Sequence, residues 1–252
     1  MSNENTDVLS ELVSLSRKLG EPQLDLVILG EGNTSAQADS DTFWVKASGT
    51  ELATAGRDTF VRVAFQPILE ALDNGDLSDQ QVAEVLKKAT VEGHRKPSVE
   101  TFLHALCLQL EGIRFVAHTH PTAALALLSS LKSRELLMGS LFPDQIVLLG
   151  PAPVYIPYTD PGLVLARSVR KHVERFVEQR ERLPRVILME NHGVIALGST
   201  ATEALNITQM LVKTCRVLLG TLKAGGPRFL NPEQVERIDK RPDEQERRVS
   251  LK

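Results

Sequence analysis

Ile113-Arg114-Phe115-Val116-Ala117-His118-Thr119-His120-Pro121 is the stretch on which the reading of this chain turns. Its apolar, β-prone run predicts a strand over 113–120. Pro121 cannot continue that strand and suits the first turn of a helix running to about Leu131. A strand handing over to a helix is the repeating unit of α/β folds. In a strand, residues i and i+2 project from one face, so His118 and His120 point the same way. They do so at the strand's rim, where a loop-bounded pocket can form.

The alternation extends in both directions. Upstream, Val8, Leu9, Leu12, Val13, Leu15 and Leu19 form a helical stripe ending at Gly20. Leu24–Leu29 is a short apolar run closed by a turn-like segment, Gly30-Glu31-Gly32-Asn33-Thr34-Ser35. Thr42–Ala47 is strand-like, stopped by Ser48-Gly49, and helices are predicted over 60–73, 78–91 and 98–111. Downstream, 146–149 and 154–156 read as short strands and 163–179 as a long helix. Strands over 185–189 and 194–197 flank the turn Asn191-His192-Gly193, and a helix over 200–223 follows. No internal repeat or flexible linker divides the chain. The pattern predicts an α/β fold with helices on both faces of one sheet, as a single domain over 1–224. Residues 225–252, charged and punctuated by proline, are expected to be a surface-hugging arm or a partly disordered end.

Composition narrows the function. The chain has 252 residues, 42% hydrophobic and 24% charged, enough apolar material for a sizeable core and no bias toward disorder. A net charge of −3 with no basic stripe argues against a nucleic-acid partner. No apolar run approaches the ~18 residues of a spanning helix, so no membrane partner is expected. The first twenty residues lack an apolar signal core, so no secretory signal is expected either. Cys107 and Cys215 fall inside apolar helical patterns and read as buried, reduced thiols of a cytoplasmic protein.

Two packed imidazoles repel when protonated and lose hydration. A divalent metal relieves both problems, and zinc favours nitrogen ligands at about 2.0–2.1 Å. On the His-x-His pattern alone, two solvated surface histidines remain the alternative. A metal site needs a third ligand. His172 sits mid-helix among charged residues, and His94 lies in a polar loop without a visible partner. His192 stands in a tight turn between two very apolar strands, where a polar ring is costly unless it has a partner. It is the candidate third ligand, and three protein nitrogens leave the fourth position open, as in catalytic zinc sites.

Pro97-Ser98-Val99-Glu100 opens a helix, and matching the helix dipole accounts for Glu100 by itself. His104, one turn later on the same face, could orient Glu100, although a half-buried helix residue is the simpler reading. Gly30-x-Gly32-Asn33-x-Ser35 and Ala47-Ser48-Gly49-Thr50 let backbone N–H groups approach an anion. They lack the Gly-Lys-Ser/Thr of a P-loop and the spacing of a dinucleotide fingerprint. Each alone is more often an ordinary turn.

In this order, GEGNTS (30–35), WVKASGTEL (44–52), PSVETFLH (97–104), VAHTHP (116–121) and MENHGVIALG (189–198) resemble the class II aldolase/adducin family. Pro157-Tyr158…Gly162 is a weaker match, and the wording around 44–55 is nearest to rhamnulose-phosphate-aldolase-like proteins. The resemblance implies a three-layer α/β/α sandwich with a central mixed, largely antiparallel sheet. It implies Zn2+, or another divalent transition metal, on His118, His120 and His192. It makes Glu100 the catalytic acid/base, a task that a pKa lifted toward neutrality by partial burial would help. Asn33, Ser48, Gly49 and Ser98 become the substrate- and phosphate-binding set, and Lys46 could add positive charge nearby. The implied protein is a cytoplasmic homotetramer. Its implied reaction is aldol-type cleavage or formation of a C–C bond in a small phosphorylated ketose, through a metal-stabilised enediolate. A sugar-phosphate epimerase or dehydratase with the same metal is the alternative, although epimerases of the family tend to carry Asp where Glu100 stands. A non-catalytic, adducin-like module is another. Two departures stand out. Val99 occupies the place of a second phosphate-binding serine, and 134–142 lacks the tyrosine that fuculose-phosphate-type aldolases use as proton donor.

Overall fold

The computed structural model describes residues 7–252. Its sheet is built from β1 (Asn33–Gln37), β2 (Thr42–Lys46), β3 (Phe60–Ala64), β4 (Thr90–Glu92), β5 (Phe115–Thr119), β6 (Val154–Ile156), β7 (Val186–Met189) and β8 (Gly193–Gly198). These eight strands run in the order β4-β3-β2-β1-β5-β8-β7-β6. Every neighbouring pair is antiparallel except β6–β7. This is the expected mixed, largely antiparallel sheet.

Period-two alternation divides the core into two layers. Phe115 and Ala117 face a cluster that includes α1 (Val8–Leu19), α5 (Thr122–Leu128) and α9 (Ala201–Lys223). Val116, between them, faces α2 (Phe65–Asp73), α4 (Thr101–Leu108) and α8 (Leu163–Arg180). His118 is two residues beyond Val116 and therefore shares the α4 face. Its register neighbours are Asn33 on β1 and Ile195 on β8.

Four expectations are corrected. The helix predicted over 60–73 divides into β3 and α2. Phe60-Val61-Arg62-Val63 alternates and finds partners on both sides in β2 and β4, and pairing of this kind overrides a helical pattern. The apolar run 146–149 belongs to the helix α7 (Pro143–Leu149), opened by Pro143. A short, wholly buried run has no period to distinguish strand from helix. The third correction concerns 33–35, read as part of a turn, which form the start of β1 and are buried. Finally, α4 starts one residue later than the dipole argument needs, so Glu100 is its N-cap rather than a first-turn residue. Of the remaining helices, α3 (Asp79–Ala89) carries a capping box between Ser78 and Gln81, and α6 (Ser133–Leu137) follows α5.

Residues 225–252 contain α10 (Pro232–Lys240) and α11 (Pro242–Ser250), both packed on α7. Asp239 accepts from Arg182 at 2.6 Å and Arg248 at 2.8 Å, and Arg247 pairs with Asp144 at 2.7 Å, so this arm is docked by ion pairs. Cys107 and Cys215 are free and buried, and burial pushes both thiols up to about 12, leaving them un-ionised. No helix among the described residues is long and apolar enough to cross a membrane.

Candidate active site

The end of β5 and the β7–β8 turn bring three imidazoles together. His118 is the fourth residue of β5, and His120 lies just past its end, its N–H donating to Leu26 O at 2.9 Å. His192 is held in the turn by a left-handed Asn191 (φ 52°) and by donation from its own N–H to Met189 O at 3.2 Å. Ring centroids are 4.7 Å apart for His118–His120, 5.1 Å for His118–His192 and 5.3 Å for His120–His192. One ligand atom from each lies within 4.8 Å of the others.

Proton positions follow from the partners. His118 Nδ1 lies 3.0 Å from Val194 O, and a carbonyl only accepts, so Nδ1 carries the hydrogen. The Nε2 lone pair is left facing His120 Nε2 at 2.9 Å. Two imidazole nitrogens in that position must share a proton or a cation. Buried His192 Nδ1 and Glu100 Oε1 have no hydrogen-bond partner among the described residues. An outer hydrogen bond that fixes a tautomer, inward lone pairs and orphaned polar atoms fit a divalent transition metal.

Gly193 makes this approach possible. A Cβ there would meet His120 Cδ2 at 2.6 Å, Thr119 O at 2.8 Å and His118 Cε1 at 3.1 Å. Two of these contacts are with the imidazoles themselves, so a methyl group must push the rings apart. Gly193→Ala is expected to weaken zinc binding by about 10–100-fold, the range seen when groups that orient ligands are disturbed. Competition titration against a chromophoric chelator measures it.

Glu100 closes the cluster. Its Oε1 lies 3.1 Å from His192 Nε2 and 3.4 Å from His118 Nε2, while Oε2 accepts from Asn33 Nδ2 at 2.6 Å. Burial works against charge on either member of the Glu100–His118 pair. Their mutual attraction, with the Asn33 hydrogen bond to Oε2, outweighs it. The carboxyl is therefore held below the usual carboxylate range and His118 above the usual imidazole range. The expectation of a Glu100 lifted toward neutrality is corrected: burial is present, but the attraction of His118 and the Asn33 donor win. His120 is pushed down to about 3 by burial and by the charges of His118 and His192.

The predicted site residues other than His118 line one cleft of about 250 Å³, with His118 buried beneath. Several of them also bond to one another or to neighbouring backbone. Asn33 spends its amide on Glu100 rather than leaving it to an anion. Ser98 Oγ accepts from Glu100 N at 3.2 Å, and Ser48 N donates to Lys96 O at 2.9 Å. Lys46, expected to supply positive charge, is buried and donates from Nζ to Gly30 O (3.1 Å) and Thr50 O, tying the two small-residue loops together. Val99 is exposed at the cleft wall. His104, read as half-buried, is fully buried between Ser35 and Asn33. Nothing in the sequence position of Glu31, between two glycines, marks it as a site residue. It lines the cleft with Oε1 3.9 Å from His120 Nδ1.

A sheet of this order carrying three imidazoles and a buried carboxylate at one edge of a cleft defines a class of protein. The family described as Class II Aldolase and Adducin N-terminal domain matches residues 10–219, and the chain belongs to that family. Among solved structures it is similar to the N-terminal class II aldolase domain of a conserved protein from Thermoplasma acidophilum. That match has 29% identity and a TM-score of 0.67, covering 87% of this chain and 96% of the other. An L-fuculose 1-phosphate aldolase shares the fold at 21% identity and a TM-score of 0.70, covering 94% and 96%. A 3-oxo-tetronate 4-phosphate decarboxylase of Haemophilus influenzae is 24% identical over 215 residues, 84% of this chain and 87% of that protein. The uncharacterized oxidoreductase YuxG of Bacillus subtilis is 25% identical over 214 residues, 81% of this chain. The chain spans only 28% of the length of that protein.

Proposed function

We propose that this chain is an aldolase-type lyase of a small phosphorylated ketose, using zinc or another divalent transition metal on His118, His120 and His192. The observation that carries the reading is the asymmetry of Glu100. One oxygen is anchored by Asn33 at 2.6 Å, and the other is unpartnered beside the imidazoles in the cleft. A carboxylate that must exchange a proton with a carbon needs one fixed oxygen and one free.

When bound, the metal supplies Lewis-acid charge that stabilises negative charge developing on a substrate oxygen. The chain's own residues do the rest. Glu100, held as a carboxylate, takes at Oε1 the proton of the hydroxyl beside the breaking C–C bond, whose oxygen becomes the aldehyde carbonyl, and delivers that proton to the carbon freed by cleavage. Ser98, Ser48 and Gly49 flank the mouth of the cleft and hold the anionic tail, which sets the geometry of the reacting end. Val99 there replaces a hydroxyl by an apolar surface, so the tail has fewer side-chain donors than in fuculose-phosphate-type aldolases. The same reading makes residues 1–224 the catalytic unit with 225–252 as an appended arm, assembled as a cytoplasmic homotetramer.

A second reading is favoured by the Haemophilus influenzae relative, which this chain matches over 87% of its length. Decarboxylation of a 3-oxo acid phosphate also leaves an electron pair on a carbon beside a carbonyl. The same site serves, with CO2 instead of an aldehyde departing. An adducin-like module without catalysis has no need of the imidazole cluster or of the free Glu100 oxygen.

A panel of ketose 1-phosphates and 3-oxo acid 4-phosphates, assayed with and without chelator, tests the reading. Aldehyde release that chelator abolishes and zinc restores is the expected result. Release of CO2 alone selects the second reading. No turnover, with far less than one equivalent of metal bound even after zinc is added, selects the module.

A further inference from the structure

We propose that His104 is a positioning residue that, through Asn33, decides which oxygen of Glu100 is left free. The inference rests on the acid/base role proposed for Glu100, but its geometry does not. His104 lies on α4, four residues after Glu100, and reaches no part of the cleft. Asn33 and Ser35 are i and i+2 on β1, so the strand's period turns both toward α4. His104 sits between them, with Nδ1 2.6 Å from Ser35 Oγ and Nε2 against Asn33 Oδ1.

The polarity of the whole chain of contacts is determined from one end. A carboxylate oxygen only accepts, so the Asn33 NH2 must face Glu100 Oε2. Asn33 Oδ1 then faces His104 and needs a donor, so Nε2 carries the hydrogen. Burial pushes His104 down to about 3, so it is neutral and carries a single ring hydrogen. Nδ1 is therefore bare, and the Ser35 hydroxyl donates to it. The sequence of donations is Ser35 to His104, with His104 Nε2–H donating to Asn33 Oδ1 and Asn33 Nδ2–H to Glu100 Oε2.

Any reversal leaves buried polar groups facing their own kind. A flipped Asn33 would set Oδ1 against the carboxylate, and the other His104 tautomer would set a lone pair against Oδ1. Among groups this buried such mismatches are costly, so the network has one stable arrangement. That arrangement holds Oε2 and leaves Oε1 toward His192. A buried imidazole outside the cleft thus has a function that its burial alone does not require.

Three substitutions separate positioning from packing. His104→Gln puts an amide NH2 near the place of Nε2–H, His104→Asn puts one near Nδ1, and His104→Leu removes both. The experiment uses the full chain loaded with zinc. In isotope-edited NMR, the Asn33 side-chain amide is expected to show one downfield, slowly exchanging hydrogen in the wild type and in His104→Gln. His104→Asn and His104→Leu should lose it. On whichever ketose 1-phosphate is turned over, the Asn and Leu variants should lose about 10–100-fold in kcat, the usual cost of removing an orienting partner. KM should change little, the metal content should stay at one equivalent, and Gln should restore kcat to within a few-fold.

Equal kcat losses for Gln and Asn overturn the proposal, as does an unchanged Asn33 amide in His104→Leu. If a variant does not fold, Ser35→Ala tests the far end: Asn33 Oδ1 still requires the Nε2–H tautomer, so the downfield Asn33 amide hydrogen should persist, and its loss counts against the proposal. Absence of turnover by the wild type would refute the proposed reaction, while the amide signals would still decide the role of His104.

Discussion

Glu100→Gln is expected to keep one equivalent of metal and to lose about 10²–10⁴-fold in turnover, the range attributed to a positioned proton-transfer group. The substitution keeps the shape of the side chain. The amide oxygen can still accept from Asn33 Nδ2, and the opposite orientation would set donor against donor, so the amide nitrogen takes the place of Oε1. His118, His120 and His192 are untouched, with the His118 tautomer still fixed by Val194 O. What disappears is a group able to take a proton from carbon. Metal analysis beside steady-state kinetics reads both halves of the expectation. A variant that keeps metal and full turnover would remove Glu100 from the chemistry. A variant that loses metal would make it part of the ligand set.

The parts of this site legible in the sequence are those that depend on local period and on a single cost. His118 and His120 share a face because strands alternate, and His192 stands out because a polar ring between apolar strands needs a partner. The structure brings all three within ligand distance of one another. Less legible was anything that depends on a register between distant segments. Reading 30–35 as a turn hid the fact that Asn33 and Ser35 share a strand face, and with it the place of His104 between them. Lys46 shows the same limit. Its neighbours in the chain suggest an anion site, but its charge is spent on the carbonyls of Gly30 and Thr50, which no local pattern reveals. Burial of Glu100 is foreseeable, whereas the groups that reverse its effect, His118 and the Asn33 donor, come from β5 and β1. In the fold, β3 and α7 were misread where short apolar runs satisfy either period. Pairing with β2 and β4 decides the first, and the opening proline with close packing decides the second.

His118→Ala is expected to abolish both metal binding and turnover. Of the three imidazoles His118 is the most constrained: it is fully buried, its backbone lies between β1 and β8, and its ring is hydrogen-bonded to Val194 O. Truncation removes one of three nitrogens, and the two that remain cannot hold a transition metal in an open catalytic geometry. The effect on stability separates a ligand from a core residue. Bound metal stabilises the wild type by mass action, because it binds the folded state and not the unfolded one. In the metal-free protein, losing His118 leaves a cavity and an unpaired Val194 carbonyl, which together cost about 2–5 kcal/mol. The loss also takes from buried Glu100 the imidazole that attracts it, so the net cost should fall toward the upper end. Zinc should therefore raise the melting temperature of the wild type and leave that of His118→Ala unmoved, whatever the gap between the two proteins in chelator. If the variant binds a full equivalent and its melting temperature rises with zinc as the wild type's does, His118 is not a ligand. The cluster would then be a packing feature of the β5 end, and the free oxygen of Glu100 would have no metal to work beside.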